Sequence, residues 1–248
     1  MKTVAVIPAR RGSTRLPDKP LLDLGGWPVV YWTYRRTCLA RGVDQVILAT
    51  DDEEIARLAR GFGATVALTS PDCPNGTVRA YEATKALDAD WVINVQGDEP
   101  FVHPAHIDAV ATLLKESACP MATLVAPATE EQKQDPNCVK VALNLKSEAL
   151  YFSRSPLPYE RHPAEVVWRH LGLYGYRADF LARYVAFGPT PLSEAESLEQ
   201  LRVLEQGYSI ACARLDAPLN APGIDTLQDL ELARALVQEK GLKPDVVA

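Results

Sequence analysis

Short runs of aliphatic and β-branched residues alternate with amphipathic stretches through the first half of the sequence, and few folds accommodate that rhythm. Val4–Ala9, Gln45–Ala49, Ala64–Leu68, Trp91–Val95 and Met121–Ala126 read as strands. Between them, Pro28–Arg41, Asp52–Arg60, Thr77–Leu87 and Pro104–Lys115 read as helices; the first and last open with Pro, and Gly61 is placed as the stop of the second. Strand–helix alternation with short connections predicts an α/β fold: a mostly parallel central sheet with helices on both faces.

The rhythm changes near Glu130. Val139–Leu145, Ala149–Phe152 and His170–Tyr176 read as further strands, separated by the proline-rich Ser155–Tyr159. Ala178–Ala186 and Glu194–Gln206 read as helices, then Ile210–Arg214 as a strand and Thr226–Lys240 as a helix. The expectation is a single domain over 1–248 with a smaller antiparallel inserted section at 130–190. At 248 residues it buries enough surface to need neither disulfide nor metal for folding.

Charge and composition narrow the function. Lys and Arg number 26 against 32 Asp and Glu, a net −6, which argues against a duplex nucleic-acid binder. No apolar run approaches the ~20 residues of a membrane span, and the opening apolar run is too short for a signal peptide. Five scattered cysteines without a C-x-x-C pair point to a reducing compartment, so the expectation is a cytoplasmic protein.

Against that acidic background, Arg10, Arg11, Arg15 and Lys19 stand within ten residues, opposed only by Asp18, directly after the first strand. Ligands in open α/β sheets bind beyond the carboxyl ends of strands. Gly12, Ser13 and Thr14 add backbone N–H groups and hydroxyls for phosphate oxygens. Neither a P-loop nor a dinucleotide fingerprint is present. Val95-Gln-Gly-Asp-Glu-Pro100 closes the fourth strand, so Asp98 falls at the same sheet edge, with Gly97 read as permitting a tight turn. An Asp shortly before Pro is also an ordinary turn former. Asp225 precedes the last helix; Thr226 with Asp229 forms a capping box there, which leaves the Asp225 carboxylate for other work. Two such carboxylates beside triphosphate oxygens suit Mg²⁺.

Several blocks then carry a resemblance. Ile7-Pro-Ala-Arg10, Ser13-Thr-Arg-Leu-Pro17 and Lys19-Pro-Leu21 open it, followed by Ala49-Thr-Asp-Asp52, Asn94-Val-Gln-Gly-Asp-Glu-Pro100, Pro136-Asn137 and Val139-Lys-Val141. Ala149-Leu-Tyr-Phe-Ser-Arg-Ser-Pro156, His170-Leu-Gly-Leu-Tyr-Gly-Tyr-Arg177, Leu198-Glu-Gln-Leu-Arg202 and Gly223-Ile-Asp-Thr226 complete the set. In this order the sequence resembles the sugar cytidylyltransferases, within them the branch that acts on 3-deoxy-D-manno-octulosonate (Kdo).

The resemblance implies a Rossmann-like nucleotidyltransferase fold and transfer of CMP from CTP to an acidic sugar, with Mg²⁺ as cofactor and a homodimer as the working form. It implies catalytic roles for Arg10, Lys19, Asp98 and Asp225, the two aspartates as metal ligands. The nucleotide falls to Arg10, Ser13, Arg15, Lys19, Gly76, Arg79 and Gln96; the sugar to Gln96, His170, Tyr174, Glu196 and Gln200. Two of these have plainer readings: His170 as an ordinary strand-end histidine, and Glu196 as the partner of Ser193 in a capping box. The homodimer contact is placed in 130–190, around Leu150–Tyr159. One departure stands out, since the family has Asp or Glu where this chain has Val78, beside Arg79. If that acid orients Arg79, its loss loosens the pocket or changes the sugar. Another acidic sugar, such as an amino analogue or a nonulosonate, and a non-catalytic nucleotide sensor remain as alternatives.

Overall fold

The first strand, β1 (Thr3–Ala9), is buried along nearly its whole length, as its uninterrupted apolar run requires of a strand covered on both faces. The computed structural model describes residues 1–12, 15–162, 165–218 and 223–246. After β1 the chain makes one 3₁₀ turn at Lys19–Leu21 and a small hairpin of β2 (Asp23–Leu24) and β3 (Trp27–Pro28). Then follow α1 (Val29–Cys38), β4 (Gln45–Thr50), α2 (Glu53–Gly61), β5 (Thr65–Leu68), α3 (Gly76–Thr84), β6 (Trp91–Val95) and α4 (Pro104–Glu116). Next come β7 (Met121–Pro127), α5 (Glu130–Gln134), β8 (Lys140–Leu143), β9 (Ala149–Ser153), β10 (Trp168–Arg177), α6 (Ala178–Tyr184), α7 (Pro191–Glu196), α8 (Leu201–Glu205), β11 (Ile210–Arg214) and α9 (Leu227–Lys240). None of the described helices is long and apolar enough to cross a membrane.

The chain divides into two units, Met1–Asp108 with Ala221–Ala248, and Ala109–Asn220. In the first, β1 pairs in parallel with β4 on one side and β6 on the other, and β4 pairs in parallel with β5. The chain thus travels outward from β1 to β5 and returns to the opposite side of β1. That reversal opens a crevice at the carboxyl ends of β1 and β6, the position where open α/β sheets bind ligands. In the second unit β11 and β7 are parallel, while β7–β10, β10–β8 and β8–β9 are antiparallel.

Most strands fall where the apolar runs place them, but several local readings need correction, among them the helix read over Thr77–Leu87, which spans Gly76–Thr84. The helix read over Asp52–Arg60 uses Asp52 as its N-cap, the carboxylate accepting from the N–H groups of Glu54 and Ile55 at 2.9 Å each. Gly61 is its last helical residue rather than its stop; the left-handed residue just beyond is Gly63, at φ 84°. The helix read over Pro28–Arg41 ends at Cys38. The single helix read over Glu194–Gln206 is two, α7 and α8, parted by Ser197 in the left-handed region (φ 52°). The Ser193–Glu196 capping box does not form: the box at α7 joins Thr190 and Ser193, and Glu196 sits at the helix's far end.

Candidate active site

One cavity of about 310 Å³ lies in the first unit at the β1/β6 crevice. Its cationic lining is Arg10, Arg15, Lys19 and Arg79, its acidic lining Asp98 and Asp225. Pro8, Ala9, Gly12, Pro20, Gly76, Gln96 and Gly97 supply the rest. Every nucleotide or catalytic residue inferred from the sequence is therefore gathered there except Ser13, which lies outside the described residues. Arg11 does not line the cavity. Its guanidinium bonds Asp18 (2.6 Å) and Glu54 (2.8 Å), tying the loop to the first turn of α2.

The centre of the site is an ammonium between two carboxylates. Lys19 Nζ donates to Asp98 Oδ2 at 2.6 Å and to Asp225 Oδ1 at 2.9 Å, while Arg15 bonds the other oxygen of Asp225 at 3.1 Å. Burial works to lower the Lys19 pKa, but Asp98 and then Asp225 outweigh it and hold the ammonium above its ordinary value. The Asp225 carboxylate, expected to be uncommitted, thus already has two cationic partners.

Three segments distant in sequence are held in register by packing and backbone bonds. The Ile224 N–H donates to the Asp98 carbonyl at 2.9 Å, linking the two acidic loops. Leu16, Phe101 and Ile224, neighbours of Lys19, Asp98 and Asp225, enter one buried cluster with Leu24, Val29, Trp32 and Val237. Each such side chain contributes about 1.5–3 kcal/mol by burial, so the polar centre rests on an apolar floor. Gly97 is required for a reason other than the tight turn: a Cβ there would stand 2.5 Å from the Pro8 carbonyl oxygen, whereas its φ lies outside the left-handed region. Close approach of the β1 and β6 ends selects glycine here.

Arg79, 2% exposed, is the most buried cation of the cavity. It pairs with Asp51 Oδ1 at 3.0 Å and donates to Thr69 Oγ1. Sequence reasoning gave Asp51 and Thr69 no role; the signal for Asp51 was its place immediately after a strand, at the same sheet edge. The pair also bears on the question posed by Val78, because Arg79 has an acid in Asp51, just after β4.

The sugar-side residues other than Gln96 lie in the second unit. His170 and Tyr174 are neighbours on β10, ring centroids 5.3 Å apart, and His170 also packs edge-on against Phe152 (5.1 Å). The Thr123 hydroxyl lies 2.8 Å from the Leu173 carbonyl and 2.9 Å from His170 Nε2. With its one proton given to Leu173, the ring is assigned as the donor from Nε2, leaving Nδ1 as an acceptor. Burial pushes His170 down to about 3, so the ring is neutral, and burial pushes the Tyr174 phenol up. Glu196 accepts from the Ser153 hydroxyl (2.6 Å) and the Arg154 N–H (2.9 Å). Partial burial alone would raise its pKa; these bonds overcome that and hold it below the usual range. Gln200 is 2% exposed, and its side-chain nitrogen has no partner among the described residues.

The donor chemistry of the cavity fits Mg²⁺. Asp98 and Asp225 offer hard oxygens, already brought within reach of one cationic centre. No cluster of three or more His, Cys, Asp or Glu suited to a metal occurs among the described residues. Two carboxylates completed by phosphate oxygens and water are what Mg²⁺ takes at nucleotide sites.

Comparison with known proteins shows the family of the chain. A family model described as cytidylyltransferase matches residues 4–210. The 3-deoxy-manno-octulosonate cytidylyltransferase of Chlorobium phaeobacteroides is 44% identical, over 96% of this chain and 98% of that protein. Among solved structures, a CMP:2-keto-3-deoxy-manno-octonic acid synthetase complexed with CTP superposes with a TM-score of 0.92 at 40% identity, covering 97% of this chain and 100% of that one. A cytidylyltransferase from Leptospira borgpetersenii shares the fold alone, with a TM-score of 0.69 at 16% identity over 99% of this chain and 90% of its own.

Proposed function

The chain belongs to the cytidylyltransferase family, and on that footing we propose that it transfers CMP from CTP to the anomeric hydroxyl of Kdo, releasing pyrophosphate and forming CMP-Kdo. The observation that carries this reading is the meeting of Lys19, Asp98 and Asp225, with Arg10, Arg15 and Arg79 around them, at the sheet edge where a nucleotide belongs.

Displacement at the α-phosphorus needs positioning and charge stabilisation rather than a covalent intermediate. Arg10, Arg15 and Lys19 hold the triphosphate and neutralise the charge that grows on the departing pyrophosphate. Gly12 and Gly76 let the backbone approach the nucleotide, and Arg79 and Gln96 orient it. Asp98 and Asp225 would hold Mg²⁺, which would supply positive charge at the phosphates and acidify the attacking hydroxyl. Lys19 Nζ, held between the two aspartates, would add positive charge beside the phosphates. Sugar recognition is assigned to Gln96, His170, Tyr174, Glu196 and Gln200; the neutral His170 ring offers Nδ1 to a sugar hydroxyl.

We assign the product to synthesis of bacterial surface polysaccharide, the protein to the cytoplasm and the active form to a homodimer. The exposure of Leu145, Leu150 and Tyr159 supports a contact through 130–190; light scattering tests it, and a monomer at working concentration would reject it. For the reaction, the test is pyrophosphate release from CTP and Mg²⁺ with Kdo, its amino analogue and a nonulosonate in parallel. Release with Kdo is expected. Turnover of another acid alone would change the substrate, and CTP binding without any turnover would make the protein a sensor.

A further inference from the structure

We infer that Asp51 is a positioning residue that holds Arg79 in place for the nucleotide, with Thr69 as its second support. The inference rests on the cytidylyltransferase reading of the cavity. Arg79 lines that cavity while almost completely buried, and a buried guanidinium is tolerated only when paired and hydrogen-bonded. Its bonds among the described residues fall on one nitrogen, Nη1: to Asp51 Oδ1 at 3.0 Å and to Thr69 Oγ1. The two supports are themselves fixed. Asp51 directly follows β4, Thr69 directly follows β5, and the Thr69 N–H donates to the Thr50 carbonyl at 2.9 Å. The ends of two neighbouring strands therefore form a clamp on the guanidinium.

Among the described residues no other acid is bonded to the Arg79 guanidinium, although Glu82 lies near enough to attract it. Glu82, three residues along α3, is committed at both oxygens, to the Ser70 N–H (2.9 Å) and the Cys73 thiol (3.0 Å). Position 78 adjoins Arg79 in the helix, and neighbours one residue apart do not face each other; the Val at that place does not strip Arg79 of its partner. Asp51 and Thr69 are absent from the cavity lining, so their effect on a nucleotide passes through Arg79.

The test compares full-length wild type, Asp51→Asn and Thr69→Val by calorimetry with CTP and by steady-state pyrophosphate release. Asp51→Asn is expected to raise both Kd and KM for CTP at least about tenfold and up to about 10²-fold, the range that misplacement of a binding group produces. Thr69→Val should raise them less. For both variants, kcat at saturating CTP and KM for Kdo should stay within about twofold, a split that a general loss of structure does not give. A CTP affinity within twofold of wild type in a folded Asp51→Asn overturns the inference. If that variant does not fold, unchanged CTP affinity in Thr69→Val does the same. Wild type that binds no CTP would reject the reading of the cavity itself, and this inference with it; wild type that binds while the variants match it rejects only the clamp.

Discussion

A methyl group at position 97 would meet the Pro8 carbonyl at 2.5 Å, and backbone, unlike the tip of a side chain, does not swing aside. Gly97→Ala therefore forces the loop after β6 away from β1, at about 1–3 kcal/mol of stability. It also displaces Asp98 from Lys19. The expected outcome is a lowered melting temperature with a fall in kcat and a rise in KM for CTP. Gly61→Ala, in helix α2 with open space at its Cβ, should leave activity unchanged and melting equal or slightly higher. The charged centre gives a sharper expectation: Asp98→Asn or Lys19→Ala should each cost about 10²-fold in kcat while the melting curve stays close to wild type. Near-normal turnover of Asp98→Asn would remove it as a metal ligand. These residues were legible because they break local expectation, as cations packed into one loop of an acidic chain and acids at strand ends. Asp51 was not, since an acid beside Asp52 at a helix start looks like capping, and its partner is 28 positions away.

At the start of α9 a single carboxylate oxygen, Asp229 Oδ2, accepts from the N–H of Thr226 (2.8 Å), the Thr226 hydroxyl (2.9 Å) and the N–H of Asp225 (3.1 Å). The helix cap thus also fixes the backbone of a cavity residue. Asp229→Ala should cost about 1 kcal/mol, a fall of roughly 2–4 °C in melting temperature for a chain of this size, and should lower kcat because Asp225 loses its backbone anchor. Thr226→Ala disturbs the same cap but leaves the bond to the Asp225 N–H; it should show a similar thermal loss with a smaller kinetic one. Equal kinetics in the two variants would separate cap from site. This cap was visible in sequence because its members lie within four residues. The break between α7 and α8 was not: Arg154, more than forty positions away, donates from Nε to the Glu196 carbonyl at 2.7 Å and from Nη2 to that of Ser197 at 3.4 Å, drawing the chain out of the helix. The apolar spacing of Leu198 and Leu201 runs on regardless and reads as one helix. The β2–β3 hairpin does leave a signal in the sequence, Gly25-Gly26 at φ 63° and 87° between Asp23-Leu24 and Trp27-Pro28.

Over the whole molecule, strand–helix alternation made the parallel strands β1, β4, β5 and β6 legible, because continuous apolar runs are what a doubly covered sheet demands. Composition is blind to something the fold creates, histidines held neutral well below their ordinary value. Burial pushes His170 down to about 3, and burial together with the nearby His103 pushes His106 down to about 4. Unfolded, each ring takes up a proton near its ordinary 6.5, so below that pH the unfolded chain binds more protons than the folded one. Their contribution is therefore complete above about pH 6.5 and is lost progressively as the pH falls toward 4 for His106 and 3 for His170. Carboxylates held low by hydrogen bonds, such as Glu196 and Glu205, add an acid loss of their own, but only as the pH drops below the ordinary 4.5 of a glutamate. Between pH 7.5 and 5 the two histidines dominate. Wild type should lose melting temperature across that interval, and His170→Asn and His106→Asn should each lose less across it, whatever their melting temperature at pH 7.5. The double variant should be the flattest of all, since it removes both rings whose protonation favours the unfolded chain. A double variant whose melting falls as steeply as wild type between pH 7.5 and 5 would show that both rings are already open to protons in the folded chain.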